Sequence, residues 1–324
     1  MTATHSGLLA AFITVLSWAC GTLAFTNAAR LLQAGLLNKF RLMLALLSLT
    51  IIASLADAKN PIKLITGPDF ENWLWLGLSG VVGLSIGDYF IFVALRIMGA
   101  RRGSLFSTIS PAASLLTGYL MLGESINLIG IGCMAITSIG IFTILNHQSE
   151  KDEVKKDKQG SYAKGILMGI AAAVSQGLGL VLAKRGMMQH ETQTISSIDA
   201  AWIRMLFGFG SLFLIDIIRQ KNVYFVLPLL HNKKALKYTL LGTLFGPVIG
   251  VSLSLYAASH VEVSLAQTIL SLTPVMVLPL AAFIYRTKIT MHIWLGVFIA
   301  IMGVVVLIWR NEILPIILSS IRAM

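Results

Sequence analysis

Three ionisable residues inside long apolar runs of this chain could do chemistry: Asp88, Arg41 and Arg204. If those runs cross a membrane, an ionisable group at such depth costs several kcal/mol unless it faces a partner or water. The Asp88 carboxylate could carry a coupling proton or hold a substrate ammonium. The plain alternative is a structural acid bonded to a neighbouring helix, with Arg96 or a Ser or Thr as its partner. Arg41 and Arg204 could each clamp a carboxylate or phosphate through two parallel hydrogen bonds. They could instead extend along their aliphatic stems to the head groups. Snorkelling, or pairing with loop acids, is the preferred expectation for the pair, with Arg204 the better candidate for a substrate contact because it lies a full turn deeper.

Two prolines add a different kind of polarity. Pro111 and Pro274 interrupt apolar runs at equivalent places. Each lacks an N–H and frees a carbonyl about four residues back, near Ser107 or Leu270. Freed backbone at membrane depth is tolerated where it lines a cavity. Ser107, Gln267 and Ser271 are therefore candidate polar wall residues of a pathway, together with Trp18 and Gln176 at matched positions. Trp18 and Gln176 could equally be packing or interfacial residues. Glu124 is expected to be an end-cap or interface charge, and the 13 methionines ordinary core filler.

Hydrolytic chemistry has one point of support. Gly83-Leu84-Ser85-Ile86-Gly87 fits Gly-x-Ser-x-Gly, which in hydrolases sits on a strand–turn–helix elbow. Here the motif lies inside an apolar helical run, and no His base is expected at that depth, since His260 falls near a helix end. An aspartyl-type site would need two facing carboxylates, and only Asp88 and Asp216 qualify. A Gly-x-x-x-x-Gly-Lys-Ser/Thr loop does not occur, which argues against direct ATP drive. No cofactor or metal site is indicated. Cys20 and Cys133 form neither a disulfide framework nor a metal spacing.

The elements that must position these residues follow from composition. Of 324 residues, 56% are hydrophobic and only 12% charged, against roughly 45–50% and 25% in soluble domains. Too few charges exist to coat a soluble globule, and disorder goes with the opposite composition. A polytopic membrane protein remains. A helix needs about 20 mostly apolar residues to cross a bilayer. Ten such runs occur, at roughly 7–27, 38–56, 73–95, 103–122, 126–145, 164–183, 198–218, 236–257, 263–285 and 290–309. Residues 146–162 form a polar linker whose four acids and four lysines cancel. Met1 to Ser6 carry no Lys or Arg, so the first run is expected to be retained rather than cleaved as a signal peptide.

The chain is duplicated. At an offset of 163 residues, Arg41 meets Arg204, Gly83 and Gly87 meet Gly246 and Gly250, Pro111 meets Pro274, and Gly140 meets Gly303. An offset of 158 aligns Gly7, Ser17 and Gly21 with Gly165, Ser175 and Gly179. Ser85 becomes Val248 and Asp88 becomes Val251, so the glycines recur where the serine and the acid do not. Five spans per copy is an odd number, so the second copy enters the membrane inverted. The expected fold is an all-α membrane protein of ten transmembrane helices in two inverted five-helix repeats (1–145 and 163–309), with a short tail at 310–324. Inverted repeats are common in secondary transporters, whose sites lie at the repeat interface.

The stretch Gly87-Asp88-Tyr89-Phe90, Ala94-Leu95, Gly99 to Ser104, Ser110-Pro111 and Leu122-Gly123-Glu124 resembles the signature of EamA-type transporters of the drug/metabolite transporter superfamily. The second copy is similar but looser, with Thr287 where Glu124 has its counterpart. The resemblance implies movement of a small organic metabolite, such as an amino acid, a cofactor or a drug-like molecule, by alternating access. Proton coupling, exchange and facilitated diffusion all stay open. An intramembrane serine hydrolase at Ser85 and a channel are the rival functions.

The net charge of +11 fits orientation rather than nucleic acid. Six basic residues (Lys59, Lys63, Lys184, Arg185, Arg310 and Arg322) fall on the side of the termini and 17 on the other. The positive-inside rule then places both termini outside the cytoplasm, whereas the resemblance implies both inside. The expected partners are a small-molecule substrate and the lipid bilayer, with a homodimer also compatible. The expected location is a cell membrane, the bacterial inner membrane.

Overall fold

In a computed structural model, residues 3–29, 34–56, 63–91, 105–124, 127–147, 162–189, 195–218, 232–285 and 291–309 are described, with a few isolated positions between. Arg96, Arg101, Arg102, most of the charged linker and the tail from Arg310 lie outside them. The described chain is helical apart from a two-residue antiparallel ribbon, Met188–Gln189 with Thr192–Gln193. Helices are what an apolar chain can form in lipid, because they satisfy every backbone group within one segment.

The first repeat opens with α1 (Ala3–Ala29), α2 (Ala34–Ala56) and α3 (Phe70–Ser79), the last running on into a π-helical stretch, Gly80–Gly87. A 3₁₀ turn, Leu105–Ile109, leads into α4 (Ser110–Leu122), and α5 is Leu128–His147. The second repeat runs α6 (Tyr162–Met187), α7 (Ser197–Ile218) and α8 (Lys233–Thr243). A π-helical stretch, Leu244–Val251, joins α8 to α9 (Ser252–His260); α10 (Val263–Leu270), α11 (Thr273–Tyr285) and α12 (Met291–Ile308) follow. Among the described residues, six helical segments are long and apolar enough to cross a membrane, and four shorter apolar helices account for the remaining sequence runs.

Two local features depart from the sequence expectation. The prolines do not kink continuous helices. Each stands in the first turn of a new helix, α4 or α11, where its missing N–H is harmless. The Leu270 carbonyl, expected to be freed toward a cavity, instead accepts from the Thr273 hydroxyl at 2.7 Å. The second departure is the pair of π-helical stretches, which fall within one residue of equivalence in the two repeats. Such stretches are frequent at functional sites. Gly83, Gly87, Gly246 and Gly250 sit within them.

The repeated glycines are crossing points between the two halves. A β-carbon on Gly179 would stand 3.0 Å from the Gly83 Cα, and one on Gly21 would stand 3.1 Å from the Gly246 nitrogen. These two contacts are the same contact made twice, since Gly21 pairs with Gly179 and Gly83 with Gly246 in the duplication. Gly140 on α5 likewise faces the backbone of Ala300 on α12, while Gly303 on α12 faces Thr137 on α5. Small residues at such places let helix backbones approach closely, which drives association in lipid.

Glu124 stitches three helices. Gly123 ends α4 at φ +68°, a left-handed conformation that glycine adopts without penalty. The next residue then reaches Lys184 of α6 at 2.7 Å and accepts from the Val263 N–H at the start of α10 at 2.8 Å. Leu-Gly-Glu is thus a helix stop followed by a tie between repeats, the structural role expected of Glu124.

Candidate functional site

A cavity of about 550 Å³ lies at the centre of the helices, within the range that holds a small organic ligand. Four helical segments of each repeat supply its described walls, and neither α5 nor α12 contributes to them. The first repeat supplies Trp18 and Phe25 from α1, Arg41 from α2, Asp88 just after the π-helical stretch, and Ser107 from the 3₁₀ turn. The second supplies Gln176 from α6, Arg204 from α7, Val251 and Ser254 at the start of α9, Gln267 from α10, Ser271 and Pro274. Many wall residues are repeat-equivalent: Trp18 with Gln176, Arg41 with Arg204, Asp88 with Val251, Ser110 with Thr273.

Eight of the nine sequence candidates therefore meet around one space. Pro111 does not. It is buried in the first turn of α4, the helix that packs on α6, and there it starts a helix rather than walling the cavity.

The Arg41 guanidinium does not snorkel. Its Nη2 donates to Asp88 Oδ2, and its Nε donates to Asn38 Oδ1 at 2.7 Å. The Phe25 ring lies 5.8 Å from the guanidinium carbon, within the range of a cation–π contact. Asp88 also accepts from Gln176 Nε2 at 3.1 Å, and Gln176 is within 3.3 Å of the Gly83 carbonyl. The acid's partner is thus Arg41. Arg96, the partner weighed from the sequence, lies outside the described residues.

Arg204 has the opposite environment. It is only 5% exposed, and its Nε has no hydrogen-bond partner among the described residues. The guanidinium lies over Gly83, where a β-carbon would stand 3.2 Å from Nη2. Its backbone crosses Gly80 so closely that a β-carbon there would overlap the Arg204 carbonyl. Gly80 and Gly83 bring the helix near enough to place this side chain. Gln267 and Ser271, on the broken ninth run, are also buried.

Ser85 takes no part in the cavity wall. It is 2% exposed inside the π-helical stretch, with a helix before it where an elbow needs a strand. His260 is held at the end of α9, stacked on Tyr256 with ring centroids 4.1 Å apart. The side chain of Asp216 lies outside the described residues. No group of three metal-ligating side chains is found among the described residues.

Two related helical halves around one central cavity form an architecture common among secondary transporters. The family model of the EamA-like transporter family matches the chain twice, over residues 5–146 and 163–309. The chain belongs to this family, whose members are transporters of the drug/metabolite transporter superfamily. A solved structure described only as the crystal structure of a protein shares the fold, with a TM-score of 0.72 at 17% identity. That likeness covers 95% of this chain and 99% of the other. In all, 28 chains of solved structures match, and no curated protein does.

Proposed function

We propose that this transporter is a secondary carrier that moves a small organic metabolite across a cell membrane, the bacterial inner membrane, by alternating access. Its ten helical segments span the bilayer as two inverted five-helix repeats. The carrying observation is that repeat-equivalent residues wall one cavity from both halves. Two halves related in this way can exchange conformations, giving inward-open and outward-open states of similar energy, as alternating access requires. The paired glycine crossings Gly21–Gly246 and Gly83–Gly179 are the places where the halves would rock. The drive comes from a gradient or from exchange rather than from ATP bound to this chain.

The test is transport in vesicles reconstituted with the full chain and preloaded with a metabolite panel. Saturable counterflow of a panel member is the expected result. Product formation without net movement would sink the carrier, and non-saturable flux would favour a channel.

A further inference from the structure

Three ionisable residues are found among the described cavity walls: Arg41, Asp88 and Arg204. The first two neutralise each other, leaving one net positive charge, on Arg204. The duplication explains why. The position equivalent to Asp88 is Val251, and the position equivalent to Gln176 is Trp18. Both replacements line the same cavity, and Trp18 packs against Gly250, the residue before Val251. Arg41 therefore has a carboxylate from its own repeat, and an amide from the other repeat, Gln176, holds that carboxylate. At the positions equivalent to that acid and amide, Arg204 has Val251 of its own repeat and Trp18 of the other, neither of which can pair with a guanidinium.

A buried guanidinium without a counter-charge is a poor resting arrangement. Arg204 is only 5% exposed and its Nε is unpartnered among the described residues. Such a group in the wall of a cavity is an anion site that the protein has not itself filled. One uncompensated positive charge suits one negative charge, and a planar fork of donors suits a carboxylate. The apolar side chains that wall the same cavity, Trp18 and Val251 among them, suit an apolar body.

Resting on the identification of this cavity as the substrate site, we propose that the substrate is a monocarboxylate with an apolar body. Its carboxylate pairs with Arg204 in the place Asp88 holds beside Arg41, and its body lies against Trp18 and Val251. Dianions such as phosphate esters, and amines, are disfavoured.

The experiment uses the purified full chain with matched probes: phenylacetate, phenylacetamide, phenethylamine and phenyl phosphate, and the hexanoate, hexanamide and hexylamine set. Ligand-dependent thermal unfolding and equilibrium binding are read for each. The acids are expected to bind at least tenfold more tightly than their amides, and phenylacetate more tightly than phenyl phosphate. Arg204→Gln abolishes that discrimination while leaving the ligand-free protein at least as stable as the parent. Val251→Asp, which supplies the missing carboxylate, abolishes acid binding, and Val251→Asn retains it. Preference for an amide, an amine or the phosphate ester, or acid preference that survives Arg204→Gln, overturns the proposal and leaves the cavity as the substrate site. Absence of any response also overturns it, and the carrier function is then judged by counterflow alone.

Discussion

Gln176 donates to Asp88 at 3.1 Å across the boundary between the repeats, and Asp88 in turn holds Arg41. The relay joins α6 of the second half to the third and second helical segments of the first, at the cavity wall. Among the described wall residues these three form an ion pair with its amide donor. The equivalent set, Arg204, Val251 and Trp18, has neither the acid nor the amide.

Removing the acid breaks a buried ion pair from one side. Asp88→Asn takes from Arg41 the carboxylate to which its Nη2 donates, and breaking a buried pair from one side costs on the order of 3 kcal/mol. The variant is expected to unfold at a clearly lower temperature than the parent. Adding Arg41→Gln should recover most of the loss. A double variant no more stable than Asp88→Asn alone would show that the pair does not hold these helices.

Alanine at the glycine crossings separates packing from helix propensity. Gly140→Ala and Gly303→Ala push a methyl group into the facing helix, and overpacking of this kind costs about 1–3 kcal/mol. Gly210, on α7, meets nothing within 4 Å. Gly210→Ala should be neutral or stabilising by up to about 1 kcal/mol. Thermal unfolding in one detergent ranks all three, and equal losses would refute the crossing-point role.

Glu124 ties α4 to Lys184 and to the first N–H of α10. Glu124→Ala leaves both partners without it, at a cost of about 2–4 kcal/mol. Glu124→Gln keeps a neutral bond and should lose less. Limited proteolysis and thermal unfolding of the two variants check the order.

Orientation can be tested by labelling. The basic residues outside the spans divide 17 to 6 against the side of the termini, and on the minority side Lys184 is already paired with Glu124 at 2.7 Å. Tags at both termini should therefore react with an impermeant reagent applied outside intact cells. Labelling only after permeabilisation would overturn the charge count in favour of the orientation the family resemblance implies.

The helical membrane character and the duplication were legible from sequence for a physical reason. Crossing lipid demands about 20 apolar residues per helix, so composition and run length mark each segment. Gly, Pro and Arg recur only where backbone approach, helix starts or charge placement require them. The partners of those residues were not legible. Whether Arg41 turns outward to head groups or inward to Asp88 depends on helix rotation, which two π-helical stretches reset by one residue. Whether a proline opens a carbonyl or begins a new helix depends on a neighbour such as Thr273 being placed to accept the role. The sequence by itself determined that two arginines stand at equivalent positions, and that the first repeat has an acid, Asp88, where the second has Val251. Tertiary structure decided that both point into one cavity, because only the crossing of the repeats at Gly80 and Gly83 brings Arg204 to the same space as Asp88.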